Sequence, residues 1–409
     1  MPTTDPLAFD VTRSRSRWLL VVAAILVQLA LGGVYAWSVF NEPLQQQFGW
    51  SKAQAVLPFE VAIGSIVVGS LVGGRVQDRT GPRPVALAGG VLYAGGVMLA
   101  STVTRADQLW LLVLSNGVLG GIGLGAAYIT PIAMLAKWFP DRRGLITGLA
   151  VGGFGFGAVL TAPVARRLLA DAANKPDVFL PLGLAYLVAV IAGASLFRNP
   201  PKPPTASLTG PAADVHTLAT ALRTRQWYQL TAILMLNTLC GIALVSLASD
   251  ALRQVAGLSA AAAATVVGLL GLFNGGGRIA WAAISDRIGR MNACVGMLTL
   301  QGVCFLLIPH ATHPAAFIAL AAVIYLCYGG AFGVMPATAA DFFGTRNAGA
   351  IYGAMIVAWS AGGVLGPLLA SQLYEQSGRS YTLPFTAIAV IALLAIVVPL
   401  TTRKPTRAA

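Results

Sequence analysis

Charge is what this chain has least of. Only 10% of its 409 residues are Asp, Glu, Lys or Arg, against roughly 25% in soluble domains. With 56% hydrophobic residues and a mean hydropathy of +0.75, a soluble fold would have too little polar surface to cover itself, and a polytopic membrane protein is the class that remains. Other scarcities exclude chemistry. The three histidines, His216, His310 and His313, fall in the central polar loop and at an outer edge, so no nucleophile–base pair or metal cluster forms and no enzyme is expected. The four cysteines, Cys240, Cys294, Cys304 and Cys327, sit inside apolar runs without metal spacing and read as small packing residues. No metal or cofactor is expected. No polar segment is long enough for a nucleotide or signalling domain, which argues against an ATP-driven pump; a carboxylate sensor that moves nothing is the alternative kept from another class.

What is abundant is apolar runs of spanning length, about 20 residues each. Twelve are read at 18–40, 54–76, 84–104, 108–136, 143–167, 178–197, 227–249, 258–284, 291–310, 315–339, 347–374 and 381–402. They are too long and too rich in Ala, Leu and Gly for strands, and helices leave no lipid-facing backbone group unpaired. The first run is too long for a cleaved signal core, so an uncleaved first span is expected. The expected organisation is a tail at 1–17, a six-helix bundle at 18–197, a linker at 198–226, a second bundle at 227–402 and a tail at 403–409.

The basic residues decide orientation. With the N-terminus inside, 19 of the 27 Lys and Arg fall on the cytoplasmic side and 7 on the other, leaving only Arg278 within the membrane. That bias puts both termini in the cytoplasm. Short loops suit a bacterial inner membrane. Scattered anchors of this kind are not the basic stripe of a nucleic-acid binder, so nucleic acid is excluded as a partner and a monomer in the lipid bilayer is expected. The linker opens with a Pro-rich stretch; from Asp214, the spacing of Val215, Leu218 and Leu222 predicts a short interfacial helix.

The halves repeat. GRVQDRTGPR at 74–83 returns as AAISDRIGR at 282–290, placing Asp286 208 residues after Asp78, and AILVQL at 24–29 returns as AILMLN at the same offset. A repeat at half the chain length marks a transporter made by duplication, with its site between the halves near the midplane. GRVQDRTGPR resembles the signature between the second and third spans of the major facilitator superfamily, with Gly74, Asp78, Arg79, Gly81 and Arg83 matching and Pro82 intruding. The resemblance covers all twelve spans and implies the fold class: an all-α membrane protein with twelve transmembrane helices in two pseudo-symmetric six-helix bundles. It also implies a conformational switch in which Asp78, and by repetition Asp286 with Arg287, holds a neighbouring helix end in one state and releases it in the other; an anion at a helix N-terminus is the physical device.

LFNGGGRIAWAAISDRIGR, at 272–290, holds the one intramembrane cation. A charge at the centre of a spanning helix costs roughly 2.5–3.5 kcal/mol on insertion scales. Asn274 and Arg278 stand at i and i+4, on one helix face. The three glycines between them allow close helix approach and are expected to leave open space for a ligand beside the guanidinium. No GK[ST] follows, so a phosphate loop is excluded; GGIGLG at 120–125 and GGFGFG at 152–157 read as close helix contacts. Of fourteen acidic residues only Glu60 lies inside an apolar run, near its outer end, either as a helix cap or as a proton site. Arg278 therefore faces a central cavity as a site for an anion brought from outside, a carboxylate matching its two-pronged geometry; a snorkelling side chain or one bound to a backbone carbonyl is the other reading.

N-x-x-x-R in the eighth span resembles the D/N-x-x-x-R of monocarboxylate transporters, and GGVYAWSVF at the end of the first resembles the bacterial oxalate/formate antiporter family. The resemblance implies a substrate ringed by aromatic side chains: Tyr128, Phe154, Tyr328 and Phe332, with Tyr35 and Trp37 toward an outer gate and Gln28 deeper. Oxalate carriers carry a second cation, a lysine, in the eleventh span. Here Trp359 falls at about that position and no Lys or Arg occurs between Arg346 and Arg379, so one buried positive charge faces one negative charge and a small monocarboxylate such as lactate, pyruvate or formate is expected over oxalate. Neither Arg278 nor Asn274 releases a proton near neutral pH. Proton symport, with the proton arriving on the substrate carboxylate, is expected; exchange of organic anions is the alternative.

Overall fold

The computed structural model describes residues 16–201 and 216–404. Among these residues twelve helices are long and apolar enough to cross a membrane, one for each apolar run: α1 (Arg17–Phe48), α2 (Ala53–Thr80), α3 (Pro82–Ala100), α4 (Ala106–Trp138), α5 (Arg143–Asp171), α6 (Lys175–Ala194), α7 (Arg225–Gln254), α8 (Thr265–Ile288), α9 (Arg290–His310), α10 (Pro314–Phe343), α11 (Ala348–Gln376) and α12 (Thr382–Thr401). An even number of crossings leaves Arg17 and Thr401 at the same end, called here the terminal end; the opposite one is the far end.

Local chemistry sets the helix boundaries. Ser51 and Gln54 form a reciprocal capping box, with Ser51 Oγ accepting from the Gln54 N–H at 3.2 Å and Gln54 Oε1 accepting from the Ser51 N–H at 2.9 Å. Gly81 and Gly289, which the repeat makes equivalents, have φ of 94° and 91°, a conformation that only glycine adopts without strain; each turns the chain between two helices at the terminal end. Several spans are not uniform. In α1 the α-helix ends at Leu31, a 3-10 segment runs Gly32–Trp37, and α-helix resumes at Ser38. Gly32 packs directly on the Phe154 backbone, where a Cβ would overlap the carbonyl oxygen. In α11 the helix breaks at Ile356, between Ala348–Met355 and Val357–Gln376.

Helices α1–α6 and α7–α12 form two bundles joined along α2–α11 and α5–α8. A continuous buried core crosses between them, including Tyr128 and Phe154 from the first and Phe332 and Trp359 from the second. A second cluster, with Cys240, Phe305 and Phe317, fills the far half of the second bundle. Exposed side chains such as Val188, Leu394 and Leu400 make the lipid-facing surface.

The linker departs from expectation. Residues 202–215, with Asp214 and Val215, lie outside those described, as do 1–15 and 405–409 of the two tails. From His216 onward the chain forms no amphipathic helix lying in a membrane interface but a single helical turn, Leu218–Ala221, docked on protein. Ala221 is buried with Leu218 and Leu222 packed beside the core. The His216 N–H donates to the Phe343 carbonyl at 3.1 Å, and Asn347 Nδ2 donates to the His216 carbonyl at 2.7 Å. Protein backbone supplies the polar partners that an interface would otherwise have offered.

Candidate functional site: a buried guanidinium in an aromatic cage

Arg278 lies ten residues before the end of α8 at Ile288, about 15 Å along the helix, and is fully buried. Glycines place it there. Gly329 and Gly333 of α10 press on the carbonyl oxygens of Asn274 and Arg278, while Gly148 of α5 approaches the Arg278 carbonyl from the other side. Three helix backbones thus meet at one residue, closer than any side chain would allow.

The guanidinium spends only part of its donor capacity. Nη1 donates to the Val151 carbonyl of α5 at 3.3 Å and Nη2 to Asn274 Oδ1 at 3.2 Å. Among the described residues Nε has no well-formed hydrogen bond, nor has Asn274 Nδ2. Five N–H groups are available on an arginine; the Tyr35 hydroxyl lies beside the guanidinium, and donors remain for something else. Among the described residues no carboxylate pairs with Arg278. Two rings partly offset the buried charge: the Phe332 and Phe154 centroids lie 5.1 and 5.5 Å from Cζ, within cation–π range.

Trp359 is the hub of the cage. Its ring meets Phe332 at 5.3 Å, Phe154 at 6.0 Å, Tyr128 at 6.1 Å and Tyr35 at 6.2 Å between centroids. Tyr35 and Tyr128 each pack edge-on against Phe154 at 5.1 Å, and Tyr328 against Phe332 at 5.7 Å. The structure therefore brings together Arg278, Asn274, Tyr35, Tyr128, Phe154, Tyr328, Phe332 and Trp359 from both bundles. Gln28 is buried beside them, its Nε2 donating to the Tyr128 carbonyl at 3.3 Å and its Oε1 unpartnered.

Four readings need correcting. Arg278 does not face an open cavity; the rings enclose it. The glycine run leaves no space beside the guanidinium: Gly275 packs on the Phe156 ring and Gly277 on the Leu326 carbonyl, and only Gly276, on the opposite helix face, has nothing within 4 Å. Tyr35 joins the cage instead of forming an outer gate with Trp37, which stacks on Phe179 at 5.7 Å and donates to the Ala55 carbonyl at 3.0 Å. Glu60 caps no helix, because Ser51 does. Sequence reasoning also missed Tyr352, fully buried with its ring beside Tyr128. Its position seven residues before Trp359, two helical turns along one face, was the available signal.

At the terminal end two carboxylates cap helices of the opposite bundle. Asp78 Oδ2 accepts from the Ala350 N–H of α11 at 2.8 Å, with Lys137 Nζ 3.6 Å from Oδ1. Asp286 accepts from the Gly144 and Leu145 N–H groups of α5 at 3.1 and 2.9 Å. Gly74 permits the first contact, since a Cβ there would collide with the Gly349 carbonyl. Arg79, Arg83 and Arg287, expected to share in the switch, are exposed and make no ion pair among the described residues. Ion pairs at that end are made by Arg143 and Arg290, which hold Asp341 at 2.8 and 3.0 Å, Arg290 also meeting Asp286 at 2.7 Å. They were overlooked because terminal-end arginines look alike as orientation anchors.

The Major Facilitator Superfamily family model matches residues 18–367 and again 295–409. The chain belongs to this superfamily. Among its superfamily relatives are an uncharacterized MFS-type transporter of Escherichia coli strain K12 (30% identical, over 86% of each chain), the oxalate:formate antiporter of Oxalobacter formigenes (29%, over 94% of this chain and 92% of the antiporter) and monocarboxylate transporter 13 of Bos taurus (29%, over 92% and 87%). The fold is similar to that of the E. coli fucose:proton symporter, with a TM-score of 0.74 at 13% identity over 96% of this chain and all of that one. As a member of the superfamily, the protein is a membrane transporter with the twelve-helix fold.

Proposed function

We propose that this major facilitator carries a small monocarboxylate such as L-lactate, pyruvate or formate by alternating access, in symport with a proton, and that Arg278 binds the carboxylate. The observation that carries this reading is a fully buried guanidinium with unspent donors and no acidic partner among the described residues. A carboxylate accepts two parallel N–H bonds from such a fork and neutralises the charge. The cage of flat rings suits a substrate of a few carbon atoms, and with Trp359 where a second cation would otherwise stand, one negative charge is matched. The similarity to an oxalate:formate antiporter and a monocarboxylate transporter supports the same class.

The placement of basic residues favours the terminal end in the cytoplasm and a bacterial inner membrane. The Asp78 and Asp286 caps then hold the cytoplasmic side shut, and their release opens it. Asn274 and Arg278 cannot titrate near neutral pH, which supports a proton entering on the substrate. The same fact favours one second reading, organic-anion exchange, in which an anion must always occupy Arg278 for the carrier to turn over.

Uptake of labelled L-lactate into proteoliposomes, with and without an inward proton gradient, tests both. Gradient-stimulated uptake, lost in Arg278→Ala, is the expected result. Uptake only into vesicles preloaded with another carboxylate would make the protein an exchanger, and no lactate movement in either case would overturn the substrate class.

A further inference from the structure

Glu60 is the acidic side chain that the binding site leaves unused. It lies inside the apolar part of α2, nine residues past the Ser51 cap and so roughly 13 Å along the helix, exposed, with no hydrogen bond or ion pair among the described residues. Its place relative to α11 gives it a role. The two helices run antiparallel in a fixed register: Gly74 meets Gly349, Ser70 meets Gly353, and Ser360 Oγ donates to the Ile63 carbonyl at 3.2 Å. Each step along α2 is matched by an equal step along α11. The next rung puts Glu60 opposite Gly363 and Val364, and the one after puts Val56 opposite Pro367. Those rungs are not joined: Val364 is 58% exposed, and α2 meets the outer part of α11 only sparsely.

We propose that Glu60 is a proton-sensing latch at the far end. When the far end closes, as alternating access requires, the register carries the Glu60 carboxylate against an apolar strip of Gly363, Val364 and Pro367. An ionised carboxylate cannot be buried there without a partner, whereas the protonated acid can, donating its O–H to a backbone carbonyl. The flanking elements supply no counter-charge. On α11 nothing titratable lies between Tyr352 and Tyr374; on α4, which packs on Pro58 and Val61 through Gly117, nothing lies between Asp107 and Tyr128. Asp107 is paired with Arg105, and Glu42, on the outer end of α1, accepts from Gln46 Nε2 at 3.1 Å. Lys52 immediately precedes α2, eight residues before Glu60. Protonation of Glu60 therefore favours the closed far end and ionisation the open one. The latch sets how pH gates the carrier and carries no proton across, so it is separate from the proton brought by the substrate.

Spin labels on cysteines introduced at Leu57 and Leu368, both exposed and both at the far end, report the separation of the two helices in lipid nanodiscs without substrate. Acid buffer is expected to shift the wild-type distances toward the shorter population relative to neutral buffer. Glu60→Gln is expected to hold the shorter population at both. A Glu60→Gln protein that keeps the wild-type pH shift, or a wild-type protein that shows none, overturns the proposal. Because no carboxylate is added, failure of the transport reading shows in the uptake assay and leaves this outcome untouched.

Discussion

Asp78 and Asp286, 208 residues apart in sequence, make the same contact in opposite directions. Each carboxylate leaves its own bundle and accepts backbone N–H groups at the first turn of a helix in the other, Asp78 at α11 and Asp286 at α5. A carboxylate at a helix N-terminus stabilises it through unpaired N–H groups and the helix dipole together. The two caps therefore act in parallel on one closure. Their surroundings differ: Asp78 has Lys137 from its own bundle, whereas Asp286 shares Arg290 with Asp341, which Arg143 reaches from the other bundle.

Neutralising either cap should open the terminal end. Asp78→Ala and Asp286→Ala are each expected to weaken closure by about 0.5–2 kcal/mol, the usual worth of a cap. The caps share no partner, so the double variant should add the two effects to within about 0.5 kcal/mol. Labelling rates of a cysteine placed at Ala350, buried at the α2–α11 seam of that end, would measure the shift; unchanged rates in both variants would remove the caps from the gate.

Arg278→Lys keeps a positive charge but loses the fork and its contacts to Val151 and Asn274. Charge-assisted hydrogen bonds are worth about 1.5–3 kcal/mol each, and a factor of ten in affinity is about 1.4 kcal/mol. Substrate-induced thermal stabilisation should therefore need at least about ten times more carboxylate in this variant. Equal affinity in Arg278→Lys and wild type would mean that the guanidinium geometry does not select the ligand.

How much of this was legible in the sequence depends on whether a residue type has one meaning or several. Twelve crossings followed from hydropathy, because length and apolarity admit few other structures. Arg278 stood out because a lone charge in an apolar run has few explanations, and the spacing to Asn274 put the two on one face. Glycine is ambiguous. Nothing local distinguishes Gly333, pressed on the Arg278 carbonyl, from Gly276, which faces open space; the difference lies wholly in which helix arrives from elsewhere. Arg143 and Arg290 were hidden for the same reason, since their partner Asp341 is distant in sequence from both.

That ambiguity resolves into a stability test. A Cβ on Gly333 would overlap the Arg278 carbonyl oxygen, and backbone cannot yield as a flexible side chain can. Gly333→Ala should destabilise by about 1–3 kcal/mol, as overpacking does, and displace the guanidinium from its cage. Gly276→Ala meets nothing within 4 Å and should stabilise α8 by up to about 1 kcal/mol through helix propensity. Opposite signs in thermal melts of the detergent-solubilised proteins are the expected result; equal signs would contradict this packing of α8 against α10.

In the proposed site Trp359 is placed to set the size of the substrate, because its ring touches four of the other aromatic side chains in the cage. Trp359→Ala removes that hub and leaves a space in which a three-carbon acid is held at Arg278 alone. Truncation of a buried aromatic costs about 3–5 kcal/mol of folding stability, so the variant should melt earlier as well. The discriminating readout is competition: relative to lactate, a bulkier monocarboxylate such as benzoate should inhibit uptake by Trp359→Ala more strongly than it inhibits the wild type, because its ring can fill the space the indole left while its carboxylate stays on Arg278. If the variant loses lactate and benzoate alike, Trp359 holds the helices together but does not measure the substrate; if the ratio moves toward benzoate, the indole is the wall of the site.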